Sequence, residues 1–245
     1  TTADVVGAEK LLQWHIRNLG LSGGVVVPDS SNIIYDQWYS DRNGTPTAPP
    51  NGTLHTDAED SAAALPIALA GQYVRRGGDL TWLRSTGIEA KFDALADLLQ
   101  QLTDSADGLT RNFRVKLDPN NGGDLRVKYL ADNCEVFIAY QEMARLKRDV
   151  WNKIAEADVY YAKAETLRAA ILREFPDPDT DPNKNGIFRY VKFANGTFDG
   201  FNENFAYQSS LIVTPAVYGV IDRTAAMAVR QVAKFNSGSN WLTWF

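Results

Sequence analysis

Apolar side chains recur every three to four residues near the start of the chain. Val5, Ala8, Leu11, Leu12, Ile16 and Leu19 fall on one face, His15 joins them, and Gly20 follows. That period predicts a helix over 5–19 with a stop at the glycine. The pattern returns over Thr56–Arg76, ended by Gly77-Gly78, and over Leu80–Leu102, where Asp79 stands at the N-cap position. Pro66 removes a backbone donor, so it predicts a kink or an early end in the second helix. Further helices are predicted over Asn133–Lys147 and over Val150–Phe175, which Pro176 ends. Two more follow, Tyr207–Val220, interrupted by Pro215, and Arg223–Phe235.

Period-two stretches lie between the helices. Phe113–Leu117 and Leu125–Tyr129 alternate apolar and basic residues around the turn cluster Asp118–Gly123, which predicts a short hairpin or irregular excursion. Ile187–Phe193 runs into Ala194-Asn195-Gly196-Thr197, and Asn-Gly after an extended run is a strong hairpin signal. Gly20–Leu54 is long and rich in Gly, Pro, Asn and Ser, with extended pieces at Val25–Val27 and Asn32–Tyr35. Loops of this length often carry function. About seven helices in antiparallel-looking pairs, without β-α-β alternation, predict one mainly α domain over 1–245 with no central sheet.

Composition narrows the function classes. The chain has 245 residues, 44% hydrophobic and 22% charged, with net charge −5. No run of Lys or Arg supplies the footprint of a nucleic-acid binder. No apolar run approaches the ~20 residues that span a bilayer. Thr1 opens without a basic, then apolar, leader pattern. Cys134 is the single cysteine, and His15 and His55 are the only histidines. An intrachain disulfide and a zinc site rich in Cys or His are therefore excluded. Cys134 is expected to be a buried, inert thiol.

Acids at helix starts are the candidate chemistry. His55-Thr56-Asp57-Ala58-Glu59-Asp60-Ser61 packs three carboxylates into four positions. Thr56 with Glu59 reads as a capping box, and Asp57 adds favourable charge to the helix mouth. Asp60 lies past the position such a box uses. A desolvated carboxylate there suits a general acid. Asp132 with Glu135 repeats the cap geometry at the next acidic helix start. Two such mouths on one cleft could hold carboxylates at the separation of about 5 to 9.5 Å that glycosidases use. Asp36 supplies a third acid, among Tyr35, Trp38 and Tyr39 in the long loop. Those rings either stack on a ligand or anchor the loop on the core.

The order of these features resembles the six-hairpin glycosidase superfamily, an α/α toroid. The residues that carry the resemblance are Asp36-Gln37-Trp38-Tyr39, His55–Ala62, Gln72–Leu80 and Tyr129–Val136. The resemblance implies a secreted or cell-surface protein that binds or cleaves a poly- or oligosaccharide. Asp60, Asp132 and Asp36 would be its catalytic carboxylates, and Trp38, Tyr39, Tyr35 and His55 its sugar contacts. A closed ring of six hairpins has twelve helices, against about seven predicted here. The ring is then incomplete, to be completed by further chain or a second copy.

Two motifs stand apart. Asp177, Asp179, Asp181, Asn183 and Asn185 place oxygen ligands at every second position. From Asp181 they match part of an EF-hand calcium loop, but its twelfth position is Lys192 rather than Glu. A solvated turn is the other reading, and no cofactor is otherwise required. Asn43-Gly44-Thr45, Asn51-Gly52-Thr53 and Asn195-Gly196-Thr197 match the N-glycosylation pattern, though Asn-Gly is also an ordinary turn signal. The sequence thus supports two functions: a glycoside hydrolase, or a non-catalytic helical module that binds carbohydrate or acts as a scaffold.

Overall fold

The structure, a computed structural model, describes residues 2–17, 19, 58–114, 122–124, 126–177, 187–199 and 212–237, and four two-residue strands before residue 58. It is mainly helical. The chain divides into two compact units, 1–101 with 139–162 and 102–138 with 163–245.

In the first unit, α1 (Thr2–Arg17) buries Leu12 and Ile16. Leu11, expected on the same face, is 54% exposed, as are Val6 and Trp14 to a similar degree. At 100° per residue Leu11 lies away from the Leu12–Ile16 seam, so the buried stripe is narrower than the spacing suggested. Lys91 Nζ donates to Ile16 O at 2.8 Å and satisfies the end of α1. Short antiparallel pairs follow: β1 (Leu21–Ser22) with β2 (Val25–Val26), and β3 (Trp38–Tyr39) with β4 (Pro46–Thr47).

α2 (Glu59–Arg75) runs on past Pro66. The proline deletes one backbone bond, but Ala63, Ala64, Pro66, Ile67 and Ala70 are all buried, and that packing carries the helix through. The predicted helix 80–102 is two helices, α3 (Leu80–Leu83) and α4 (Ile88–Leu102). Gly87, at φ +82°, turns the chain between them. Asp79 caps α3 as expected, its Oδ1 accepting from Thr81 N at 2.9 Å. Phe92, Leu95, Ala96, Leu98 and Leu99 are the buried face of α4.

α5 (Leu130–Arg145) widens into a π-helical turn, Leu146–Val150, closed by Trp151 N donating to Leu146 O at 3.2 Å. Asn152, at φ +57°, breaks the helical path, so α6 spans Ile154–Glu174 and starts four residues later than the pattern suggests.

The second unit holds a three-stranded antiparallel sheet in the order β5 (Val127–Tyr129), β6 (Val191–Phe193), β7 (Phe198–Asp199). The β6–β7 hairpin is the predicted one. Gly196 N donates to Phe193 O at 2.9 Å, Phe193 N to Thr197 O at 2.8 Å, and Gly196 takes φ +83°. Most of the hairpin or excursion expected within 113–129 lies outside the described residues (115–121 and 125), but its flanks meet where Arg126 Nη1 donates to Arg114 O at 2.9 Å. β5 pairs with β6 in the register Val127↔Phe193, Lys128↔Lys192, Tyr129↔Val191. Just before the earlier flank, Asn112 pairs with Val127, its N donating to Val127 O at 2.9 Å and its Oδ1 accepting from Val127 N at 3.0 Å. Alternation foretold an extended Val127–Tyr129 but not its pairing with β6. Beyond residue 211, α7 (Thr214–Val217) is one turn, with Gly219 at φ +79° after it, and α8 spans Ala226–Ser237.

Candidate functional site

The mouth of α2 differs from a capping box. Ala58 is the N-cap, extended at φ −154° and ψ 129°, and no side chain caps the helix. Glu59 is therefore the first helical residue rather than the third. Both it and Asp60 put negative charge on the positive end of the helix. Asp60 has 0% exposure, and its Oδ1 accepts from Ser61 N at 2.9 Å. His55, Thr56 and Asp57 lie outside the described residues.

The mouth of α5 corrects a second expectation. Because β5 runs straight into the helix, α5 starts at Leu130, and half-buried Asp132 is its third residue instead of its cap. The organising side chain is its neighbour Asn133, fully buried. Asn133 Oδ1 accepts from Thr110 N at 2.8 Å and from Thr110 Oγ1 at 3.1 Å. Its Nδ2 donates to Thr110 O at 3.1 Å and Tyr129 O at 2.8 Å. A buried amide with all its groups engaged is a strong local constraint. Cys134 beside it is buried, and burial pushes its thiol well above the usual range despite a hydrogen bond with Thr214. The thiolate needed for reactivity is thereby suppressed.

Asp60 belongs to the first unit and Asp132 to the second. Asp36 and Tyr35 lie outside the described residues, and Trp38 and Tyr39 are described by backbone alone, with Trp38 opposite Thr47 and Tyr39 opposite Pro46. Of the candidate calcium ligands, Asp177 is described. Its backbone N donates to Ile187 O at 2.9 Å, while Arg189 N donates to Phe175 O at 2.8 Å, so the flanks of the segment pair antiparallel. Asp179, Asp181, Asn183 and Asn185 lie outside the described residues.

A charged centre that the sequence reading missed occupies the first unit. Lys147, in the π-helical turn, is buried, and its Nζ lies 2.7 Å from Glu89 Oε1, 2.6 Å from Asp93 Oδ1 and 2.7 Å from Glu156 Oε2. The same Nζ stands 5.5 Å from the centre of the Trp151 ring. Burial pulls the ammonium pKa down, but hydrogen bonds to Asp93, Glu156 and Glu89 more than reverse this and hold it above its ordinary value. Oxygens of the three acids lie within 4.8 Å of one another, a spacing that suits a cation, and the ammonium sits among them. Lys153 adds contacts to Glu89 at 2.9 Å and Glu156 at 3.3 Å. The visible signal was Glu89 and Asp93, four apart on one helix face.

The second unit has a ladder of alternating charge. Lys128 Nζ bridges Asp104 Oδ2 and Asp107 Oδ2, each at 2.6 Å, and Lys192 Nζ bridges Asp107 Oδ2 and Glu174 Oε2, each at 2.8 Å. Arg111 Nη2 adds a contact to Asp104 at 2.5 Å. In the first unit Glu142, buried in α5, is held by Arg75 Nη2 at 2.7 Å and Arg145 Nε at 3.0 Å. These carboxylates hold lysine and arginine cations, an arrangement that fixes geometry.

No protein-family model matches this chain, and no curated protein is significantly similar to it.

Proposed function

We propose that this chain is a glycoside hydrolase-like protein of the α/α-toroid type, acting on a poly- or oligosaccharide through carboxylates at helix mouths. The observation that carries the reading is Asp60. It is fully buried at the second position of α2, in a helix start whose N-cap is an alanine. A carboxyl group withdrawn from water is the kind that general acids use, and a second carboxylate completes glycoside cleavage. Asp132 and Asp36 are the partners the sequence offers, with Trp38, Tyr39, Tyr35 and His55 as sugar contacts. The mainly helical fold is compatible with helical hairpins. In this reading the protein works at the cell surface or outside the cell.

The test is release of reducing ends from an oligosaccharide panel by the wild type and by Asp60→Asn, with circular dichroism on both. Loss of hydrolysis in a folded Asp60→Asn variant supports the assignment. A wild type that cleaves nothing, together with an Asp60→Asn variant that does not fold, makes Asp60 a structural acid.

A second reading has its own observation. Glu89, Asp93, Glu156, Asp104, Asp107, Glu174 and Glu142 all hold cations of the chain itself. That use of acids suits a non-catalytic carbohydrate-binding or scaffold module. Thermal shift by an oligosaccharide that the wild type does not cleave separates it from the first.

A further inference from the structure

The hairpin tip at Ala194–Thr197 carries a feature that neither helix mouth absorbs. Asn195, Gly196 and Thr197 form an Asn-X-Thr triplet, and all three are exposed. The triplet alone is weak, because Asn-Gly is a common turn. The structure adds four observations. Backbone bonds from Gly196 N to Phe193 O and from Phe193 N to Thr197 O hold the triplet at the outermost point between β6 and β7. Thr197 Oγ1 donates to Asn195 Oδ1 at 2.7 Å, and Thr197 N donates to the same oxygen at 3.0 Å. No described residue engages Asn195 Nδ2. A Cβ built on Gly196 meets nothing within 4 Å, so the space beside the asparagine is open.

We infer that Asn195 is an acceptor site for an N-linked oligosaccharide. The two hydrogen bonds hold Oδ1 to the Thr197 side of an exposed residue and leave Nδ2 for an incoming sugar. The donor class is an oligosaccharide carried on a polyprenyl diphosphate. A carbon–nitrogen bond forms between Asn195 Nδ2 and the anomeric carbon. The anomeric carbon–oxygen bond breaks, the lipid diphosphate leaves with the electron pair, and one amide proton passes to a carboxylate base of the transferase. Thr197 acts as a positioning residue through its hydroxyl. The glycan projects from an exposed tip, where it displaces no packed side chain. This inference does not rest on the carbohydrate-cleaving reading.

The experiment translates the full chain into microsomes behind an added leader, beside a known glycoprotein that reports an active transferase. Trypsin releases residues 193–223 as one peptide, since no Lys or Arg lies between Lys192 and Arg223, and Asn195 heads its only Asn-X-Ser/Thr triplet. Asn43 and Asn51 fall in the separate peptide 43–75. The expected result is a 193–223 peptide recovered mainly in glycan-bearing form, and converted to the aspartate form by a peptide N-glycosidase. Thr197→Ser keeps the modification, while Thr197→Val, of nearly the same shape, loses it. The glycosylated chain melts at the same temperature as Asn195→Gln. Recovery of unmodified 193–223 while the reporter is glycosylated overturns the assignment. So does equal modification of Thr197→Val, or a melting point several degrees lower in the glycosylated chain.

Discussion

Lys128 and Lys192 stand directly opposite each other across β5 and β6, and both ammonium groups bind one oxygen, Asp107 Oδ2, at 2.6 and 2.8 Å. Like charges at opposed positions of a strand pair repel. Here the repulsion becomes a constraint, because the β5–β6 register that opposes the lysines also brings them to one carboxylate. Asp107 comes from the loop between α4 and β5, so the bridge ties that loop to the sheet.

Asp107→Asn should therefore cost more than a surface charge. It leaves two largely buried ammonium groups facing each other with only Asp104 and Glu174 to balance them, and losing a charged hydrogen-bond partner costs about 1.5 to 3 kcal/mol. Urea unfolding measures this. Asp107→Asn combined with Lys192→Met should recover part of the loss, because one of the opposed cations is removed. A single variant within a few tenths of a kcal/mol of wild type would show that the ladder is not formed.

Asp104 sets an acid limb of the stability curve. Burial pushes its carboxyl up, but hydrogen bonds from Lys128 and the Ala106 N–H, with the charges of Lys128 and Arg111, hold it at about 2, below the ordinary 3.8. A folded pKa below the unfolded one contributes stability above about pH 4, lost as pH falls toward 2. The amount is on the order of 2 kcal/mol. Melting temperature followed from pH 5 to 2 should fall less steeply in Asp104→Asn than in wild type; parallel curves would remove the assignment.

Lys147→Met should unfold the first unit more readily, by about 1 to 3 kcal/mol, because the partly exposed Glu89, Asp93 and Glu156 lose their shared cation and repel one another. Their oxygens lie within 4.8 Å of one another, so calcium should partly replace the ammonium. The rise in melting temperature with millimolar calcium should be larger in Lys147→Met than in wild type, and should shrink again in Lys147→Met with Asp93→Asn. An identical calcium response in all three chains would contradict the cage.

Gly71→Ala offers a test of sign. In a helix interior this change stabilises by about 1 kcal/mol on propensity alone. Here the added Cβ would lie 2.5 Å from Glu142 Cβ and 2.2 Å from Glu142 Oε2, and Glu142 is buried and pinned by Arg75 and Arg145. Destabilisation by about 1 to 3 kcal/mol is expected. A higher melting temperature would show that α2 and α5 do not approach this closely.

His15 controls a different pH window. Burial pushes its imidazole down to about 4 from the usual 6.5, and its Nε2 is buried without a hydrogen-bond partner among the described residues. Between about pH 6.5 and 4 the unfolded chain takes up a proton that the native state refuses, so stability falls as pH falls. The full effect is on the order of 2 to 3 kcal/mol. His15→Phe should flatten melting temperature against pH across that window, and a slope equal to that of wild type would place the ring in water.

Local periodicity determined much of this protein by itself. The helical character of α4 and α5, the Asp79 cap and the turn at Asn195-Gly196 were legible because each depends on neighbours within a few residues. The same information predicted one helix over 80–102, where Gly87 makes two, and did not reveal that Val127–Tyr129 pairs with Val191–Phe193. It singled out Asp60, which the structure buries at the second position of α2, yet assigned the cap of α5 to Asp132, when the residue engaged on every side is Asn133. Tertiary structure alone decided that Lys147 gathers Glu89, Asp93 and Glu156, and that Lys128 and Lys192 share Asp107. The physical reason is range. Helix and turn preferences come from steric and hydrogen-bond effects within a few residues. The partner of a buried charge is chosen when distant segments are brought together and each ammonium or carboxylate taken from water must find an opposite charge.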